Sequence, residues 1–187
     1  MKTCAQRHMT LGTDAFKWEI SIIIIFMLLI TKYQQLKRDN LKMIIDSYNE
    51  KDTFEYARQC GMSAKPGQVY CLYGDLGVGK TIFTKGFAKG LGITETVSSP
   101  TFTIIQIYDD GRMPLYHFDV YRIADPEEMM ETGFDDYIEG DGVCFIEWAD
   151  LIQEILPEDR IDITIEKDAE KGFDYRRITV TERGKTS

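Results

Sequence analysis

The chain has 187 residues, 43% of them hydrophobic and 28% charged. That is enough apolar material for one folded core, and it excludes a disordered or fibrous chain. The formal charge of −9 is unevenly divided: residues 1–42 carry seven Lys/Arg against three Asp/Glu, net +4, and the remainder carries fifteen against twenty-eight, net −13. A domain that acidic does not grip a phosphate backbone by itself, so any nucleic acid is expected to be held by a partner.

The first segment contains the apolar run "ISIIIIFMLLI", Ile20 to Ile30. It is too short to cross a bilayer as a helix, and no small-x-small cleavage site follows it. Because the charge changes sign near Met43, residues 1–42 are expected to be an N-terminal extension outside the working domain. They read as a mis-assigned start, with translation beginning at Met43, or as a flexible apolar segment; an interfacial amphipathic helix is the alternative. The cysteines Cys4, Cys60, Cys71 and Cys144 are scattered with no CxxC spacing, which argues against a zinc site and fits a reducing compartment. Cys71 and Cys144 sit in apolar runs and read as small buried residues.

From Met43 to about residue 184 the pattern is that of one α/β domain. "EKDTFEYARQCGMSA" places Phe54, Ala57, Cys60 and Gly61 at helical spacing, with Asp52 or Thr53 as the cap. "KPG" breaks the chain and "QVYCLY" reads as a short buried strand. A glycine-rich loop and the helix "TIFTKGFAKGLG" follow. "FTIIQIYDDGRMPLYHFDVYRI" suggests a hairpin about Asp-Asp-Gly-Arg. "DPEEMMETG" is a helical turn with Asp125 as cap and Pro126 first inside. "GVCFIEWAD" is another buried strand, "LIQEILP" a short helix stopped by Pro157, and "RIDITIEK" pairs with "YRRITVTER".

The loop "GDLGVGKT" fits G-x-x-x-x-G-K-[ST] through Gly74, Gly79, Lys80 and Thr81, after a strand and before a helix. Glycines let several backbone N–H groups turn toward one phosphate chain, and the helix N-terminus adds partial positive charge there. Lys80 can reach outer phosphates, and Thr81 offers a hydroxyl to Mg²⁺. The acid such a site needs is supplied by "VCFIE", which ends a buried strand in Glu147; Asp119 in "HFDVYR" is a second candidate, for water or metal. Thr101 and Thr103 in "SSPTFT" read either as a switch loop meeting the γ-phosphate or metal, or as a plain loop. His117 has no evident partner, Trp148 is packing or a partner contact, and Arg122 either pairs with an acid of "DPEE" or faces a phosphate.

Taken together, "GDLGVGKT", "SPTF", "HFDVYR", "EMMETG" and "EW", in this order, resemble the TsaE (YjeE) family, the ATPase of bacterial threonylcarbamoyladenosine biosynthesis. The resemblance covers about Met43 to Gly184. It implies a P-loop NTPase-like three-layer α/β sandwich with a mixed sheet. It also implies ATP and Mg²⁺ as cofactors, and partners resembling TsaD and TsaB, which attach threonylcarbamoyl to adenosine beside the anticodon of ANN-decoding tRNAs. By resemblance, Asp75, Gly77, Val78, Gly79, Lys80, Thr81 and Ile82 bind the nucleotide, Thr53 lies near its base, and Thr81 and Glu147 hold the metal. Asp119, Glu147 and Thr101 are implied as catalytic, Thr101 as a switch threonine. A cytoplasmic protein without stable membrane association is expected. The rival readings are a P-loop small-molecule kinase and a nucleotide sensor that scarcely hydrolyses.

Overall fold

A computed structural model describes residues 41–184; the expectations for the segment before residue 41 lie outside the described residues. Seven strands form one mixed sheet: β1 Leu41–Ser47, β2 Val69–Tyr73, β3 Ile105–Tyr108, β4 Leu115–Asp119, β5 Val143–Glu147, β6 Arg160–Lys167 and β7 Arg176–Arg183. Their spatial order is β1-β7-β6-β2-β5-β4-β3. The central four, β6, β2, β5 and β4, run parallel, while β1, β7 and β3 pair antiparallel.

Strand alternation sorts the core into two faces. Tyr70 and Leu72 of β2 and Val143 and Phe145 of β5 pack on one side with Phe83, Phe87 and Leu91. Val69, Cys71, Cys144 and Ile146 pack on the other with Phe118, Met129, Phe134 and Ile152. Both faces are covered, which is why β2 and β5 read as unbroken apolar runs. The first face carries two helices, α1 Glu50–Ser63 and α2 Lys80–Gly90. The second carries the 3₁₀ segments Pro126–Thr132 and Ala149–Ile155 and the short helix α3 Phe134–Ile138. This is the expected three-layer sandwich with a mixed sheet. Cys71 and Cys144 are buried, as their apolar surroundings suggest, and burial pushes both thiols up to about 12.

Helices α1 and α2 meet through glycines. A Cβ on Gly61 would stand 2.0 Å from the Phe87 carbonyl oxygen, one on Gly86 2.3 Å from that of Phe54, and one on Gly90 2.1 Å from that of Arg58. Nothing larger permits so close an approach between the two helices. Asp125 caps its segment through a capping box completed by Glu128. The β6–β7 pair forms as expected, and so does the β3–β4 hairpin about Asp-Asp-Gly-Arg.

Three readings are corrected. The cap of α1 is Asn49, whose side chain accepts from the Asp52 N–H at 3.0 Å; Asp52 and Thr53 lie within the helix. Thr53 turns inward and shares a 2.7 Å hydrogen bond with Ser47, so its hydroxyl serves the β1–α1 junction instead of a cap. "LIQEILP" forms a 3₁₀ segment, kinked at Ile152, instead of an α-helix. Strand β1 was not anticipated at all. It begins at Leu41, upstream of Met43, and the expected boundary at residue 42 falls inside it. Among the described residues no helix is long and apolar enough to cross a membrane.

Candidate functional site at the carboxyl edge of the central strands

The three central strands β2, β5 and β4 stop at one edge, with Leu72 beside Glu147 and Glu147 beside Asp119 in register. In open α/β sheets this edge is where ligands bind. The chain leaves β2 through the glycine loop. Gly74, Gly77 and Gly79 take φ of 138°, 73° and 109°, which L side chains rarely adopt. Gly74 is also packed so that a Cβ would meet the Ile165 carbonyl oxygen at 2.4 Å, whereas one on Gly79 would meet nothing within 4 Å. The loop is therefore anchored at its root and open at its end, where α2 begins.

Lys80 opens α2 and is only 6% exposed. Its ammonium donates to the carbonyls of Gly74 at 2.7 Å and Asp75 at 3.0 Å, and it stands 3.5 Å from the centre of the Trp148 ring. Burial pulls its pKa below the ordinary lysine value, opposed by the carboxylates of Glu147, Asp119, Asp150 and Asp75. Trp148 reaches this place by adopting φ 62°, in the left-handed region. Its N–H is fixed to the Leu72 carbonyl at 3.1 Å, and its ring lies 4.9 Å from that of Tyr121. A bulky residue held there is local strain beside the site.

Alternation also aligns the acids. Leu115, His117 and Asp119 share one face of β4, as do Val143, Phe145 and Glu147 of β5, and both sets face α2. Glu147 is buried, and its Oε1 accepts from Thr84 Oγ1 at 2.8 Å and from His117 Nε2 at 3.0 Å. Asp119 Oδ2 accepts from Thr101 Oγ1 at 2.7 Å and from Ser99 Oγ, and the two hydroxyls are 2.7 Å apart. Asp119 Oδ1 accepts from the Tyr121 N–H at 3.2 Å, and the Asp119 N–H donates to Ile104 at 2.9 Å.

A cavity of about 400 Å³ lies over this edge, lined by Gly77, Gly79, Lys80, Thr81, Ile82, Thr101, Asp119 and Glu147, with Leu76, Ser99, Tyr121 and Trp148. Most of the residues expected at the site thus border one space. A second cavity of about 240 Å³ on the far side of the loop takes in Thr53, Val78 and Ile82, with Glu50, Phe173 and Arg176. Asp75 faces a third hollow, toward Thr164–Lys167, and borders the site only through its carbonyl to Lys80. Thr103 is exposed in the turn after Pro100 and does not line the main cavity. Arg122 lies over the Phe102 ring at 4.5 Å, and among the described residues it makes no ion pair.

Three positions that hydrogen-bond the two acids were given no such role by the sequence reading. Thr84 is one helical turn beyond Lys80, so helical spacing marked its face but nothing marked its partner. Ser99 stands two residues before Thr101, within a segment already singled out. His117 was noted but given no partner.

The glycine loop between a central parallel strand and its helix, with carboxylates ending the adjacent strand β5 and the next strand β4, defines a P-loop NTPase-like fold. The chain belongs to the TsaE family: the model of that family, described as threonylcarbamoyl adenosine biosynthesis protein TsaE, matches residues 47–178. A Bacillus subtilis protein named tRNA threonylcarbamoyladenosine biosynthesis protein TsaE is 54% identical over 136 residues, 73% of this chain and 83% of that protein. A Treponema pallidum protein of the same name is 42% identical over 119 residues, 64% of this chain and 87% of its own. The crystal structure of Bacillus subtilis YdiB superposes with a TM-score of 0.67 at 47% identity, covering 78% of this chain and 88% of the other.

Proposed function

We propose that this chain binds Mg·ATP in the cavity beside the glycine loop and hydrolyses it. That hydrolysis would serve a TsaD–TsaB-like pair that transfers threonylcarbamoyl to adenosine next to the anticodon of ANN-decoding tRNAs. The observation that carries the reading is the convergence of Lys80, Thr81, Thr101, Asp119 and Glu147, from two strands, a helix and a loop, on one cavity at the sheet edge.

The donor set fits the group it would hold. Hydroxyl and carboxylate oxygens suit a hard divalent cation, which keeps waters and phosphate oxygens for its other positions. Thr81 and Glu147 would hold the ion. When bound, Mg²⁺ neutralises charge on the phosphate oxygens. Lys80 supplies a fixed positive charge, already drawn into the loop by two carbonyls. Asp119 has three donors that hold its carboxylate still, which suits a group that orients an attacking water and accepts its proton. Thr101 ties the loop before β3 to that carboxylate, so displacement of the loop by a terminal phosphate would alter the setting of Asp119. Thr53, Val78 and Ile82, bordering the second cavity, are the protein's groups toward the base.

The charge distribution supports a division of labour. Net −13 after residue 42 leaves tRNA binding to the partners, with this subunit contributing nucleotide-driven rearrangement in the cytoplasm. The deciding experiment measures ATP hydrolysis and repeated threonylcarbamoyl transfer with and without the TsaD–TsaB pair. Hydrolysis stimulated by the pair, and modification limited to about one round without this chain, are expected. Phosphoryl transfer to a small alcohol or nucleoside would instead establish a kinase. Binding without stimulated hydrolysis would leave a nucleotide sensor.

A further inference from the structure

His117 is fully buried on β4, and its Nδ1 has no hydrogen-bond partner among the described residues. A buried ring nitrogen left unpaired is costly, and a leucine or phenylalanine would fill the same space without that cost. What the imidazole does have is one bond, from Nε2 to Glu147 Oε1 at 3.0 Å. A carboxylate oxygen accepts, so Nε2 carries the proton of this bond and donates it to Glu147, while Nδ1 is left without a partner among the described residues. The same Oε1 takes the Thr84 hydroxyl at 2.8 Å. That hydroxyl also lies 3.0 Å from the Lys80 carbonyl, but it has one proton, and the charged acceptor makes the stronger bond. Both donors therefore converge on one carboxylate oxygen, and among the described residues Oε2 makes no hydrogen bond.

We infer that Thr84 and His117 are positioning residues that clamp Oε1 of Glu147 from opposite sides, one from α2 and one from β4, so that Oε2 is presented to the divalent cation. This rests on the Mg·ATP reading above. The clamp suits a carboxylate metal ligand. It stops the side chain from rotating, and it spends no donor on the oxygen that must bind. It also gives a use to a histidine with an unpaired nitrogen in an apolar layer beside Phe145.

The test is the Mg²⁺ dependence of ADP binding, measured by calorimetric titration across a magnesium series and in EDTA. Thr84→Val and His117→Leu each remove one donor. Each should raise the Mg²⁺ concentration giving half-maximal effect by about ten- to a hundred-fold, the usual cost of losing a group that orients a metal ligand, with ADP affinity in EDTA little changed. Thr84→Ser keeps the hydroxyl, and His117→Gln keeps an N–H near the place of Nε2; both should restore the magnesium dependence. If His117→Leu fails to fold, Thr84→Val decides, since it exchanges a hydroxyl for a methyl of the same shape. Unaltered magnesium dependence in the valine and leucine variants would overturn the inference. So would an equal loss of ADP affinity with and without magnesium that serine and glutamine do not rescue, because that is the signature of packing alone. A wild-type chain whose ADP binding ignores magnesium would overturn the Mg·ATP reading and the clamp together. Magnesium-dependent wild-type binding with insensitive variants would overturn the clamp only.

Discussion

The Lys80 ammonium lies 3.5 Å from the centre of the Trp148 indole ring, and the two are brought together from different elements: the first residue of α2 and the residue that follows β5. The contact holds the lysine charge against an aromatic face, and Trp148 takes a left-handed backbone to make it. A phosphate chain drawn to Lys80 competes with the ring for that charge. Mg·ATP is therefore expected to change intrinsic fluorescence, and Trp148→Phe should remove the change. Lys80→Ala should abolish nucleotide binding or nearly so, because Lys80 is the cation that the loop sequence "GDLGVGKT" supplies; calorimetric titration with unaltered affinity would refute the site.

Glu147→Gln and Asp119→Asn keep shape and lose charge. Both should fold, bind nucleotide with modest loss, and hydrolyse it about a hundred-fold more slowly beside the partner proteins. For Asp119 the hydroxyls of Ser99 and Thr101 remain to orient the amide oxygen, so the loop should stay in place. Single-turnover assays with the TsaD–TsaB pair separate hydrolysis from binding; wild-type rates in both variants would remove these residues from the chemistry.

Gly86→Ala sets two effects against each other. Alanine is favoured over glycine in a helix by about 1 kcal/mol. Here the added Cβ would meet the Phe54 carbonyl oxygen at 2.3 Å and the Ala57 Cβ at 2.9 Å, both held by α1. Overpacking against a backbone atom costs roughly 1–3 kcal/mol, so the clash should win and the melting temperature should fall. Thermal denaturation followed by circular dichroism checks the sign; an increase would mean that α1 and α2 separate easily.

Isolated tRNA should bind weakly at physiological salt. The net charge of −13 after residue 42 gives a phosphate backbone little to release counterions against. A gel shift with purified protein decides this, and saturable binding at micromolar protein or below would contradict it.

The features legible in the sequence are those whose physics is local. The glycine loop, the helix behind it, the Asp125 capping box and the alternating β6 and β7 each depend on residues a few positions apart, so spacing alone reveals them. Glu147 was legible too, because four apolar residues before an acid mark the end of a buried strand. Even locally there were ties. Asn49, Asp52 and Thr53 can all cap a helix by residue type, and only the bond from the Asp52 N–H to the Asn49 side chain shows which one does. Strand β1 was hidden because Met43 and Ile44 are exposed, and its strand character comes from pairing with β7 at the far end of the chain. The arrangement about the acids was decided by tertiary structure alone. Thr84 finds Glu147 across 63 residues, His117 finds it across 30, and Ser99 finds Asp119 across 20. A hydrogen bond is a short-range, directional contact, so sequence shows the donors and acceptors, while the pairing exists only once the sheet has brought β4 and β5 side by side and the apolar core has packed α2 over them.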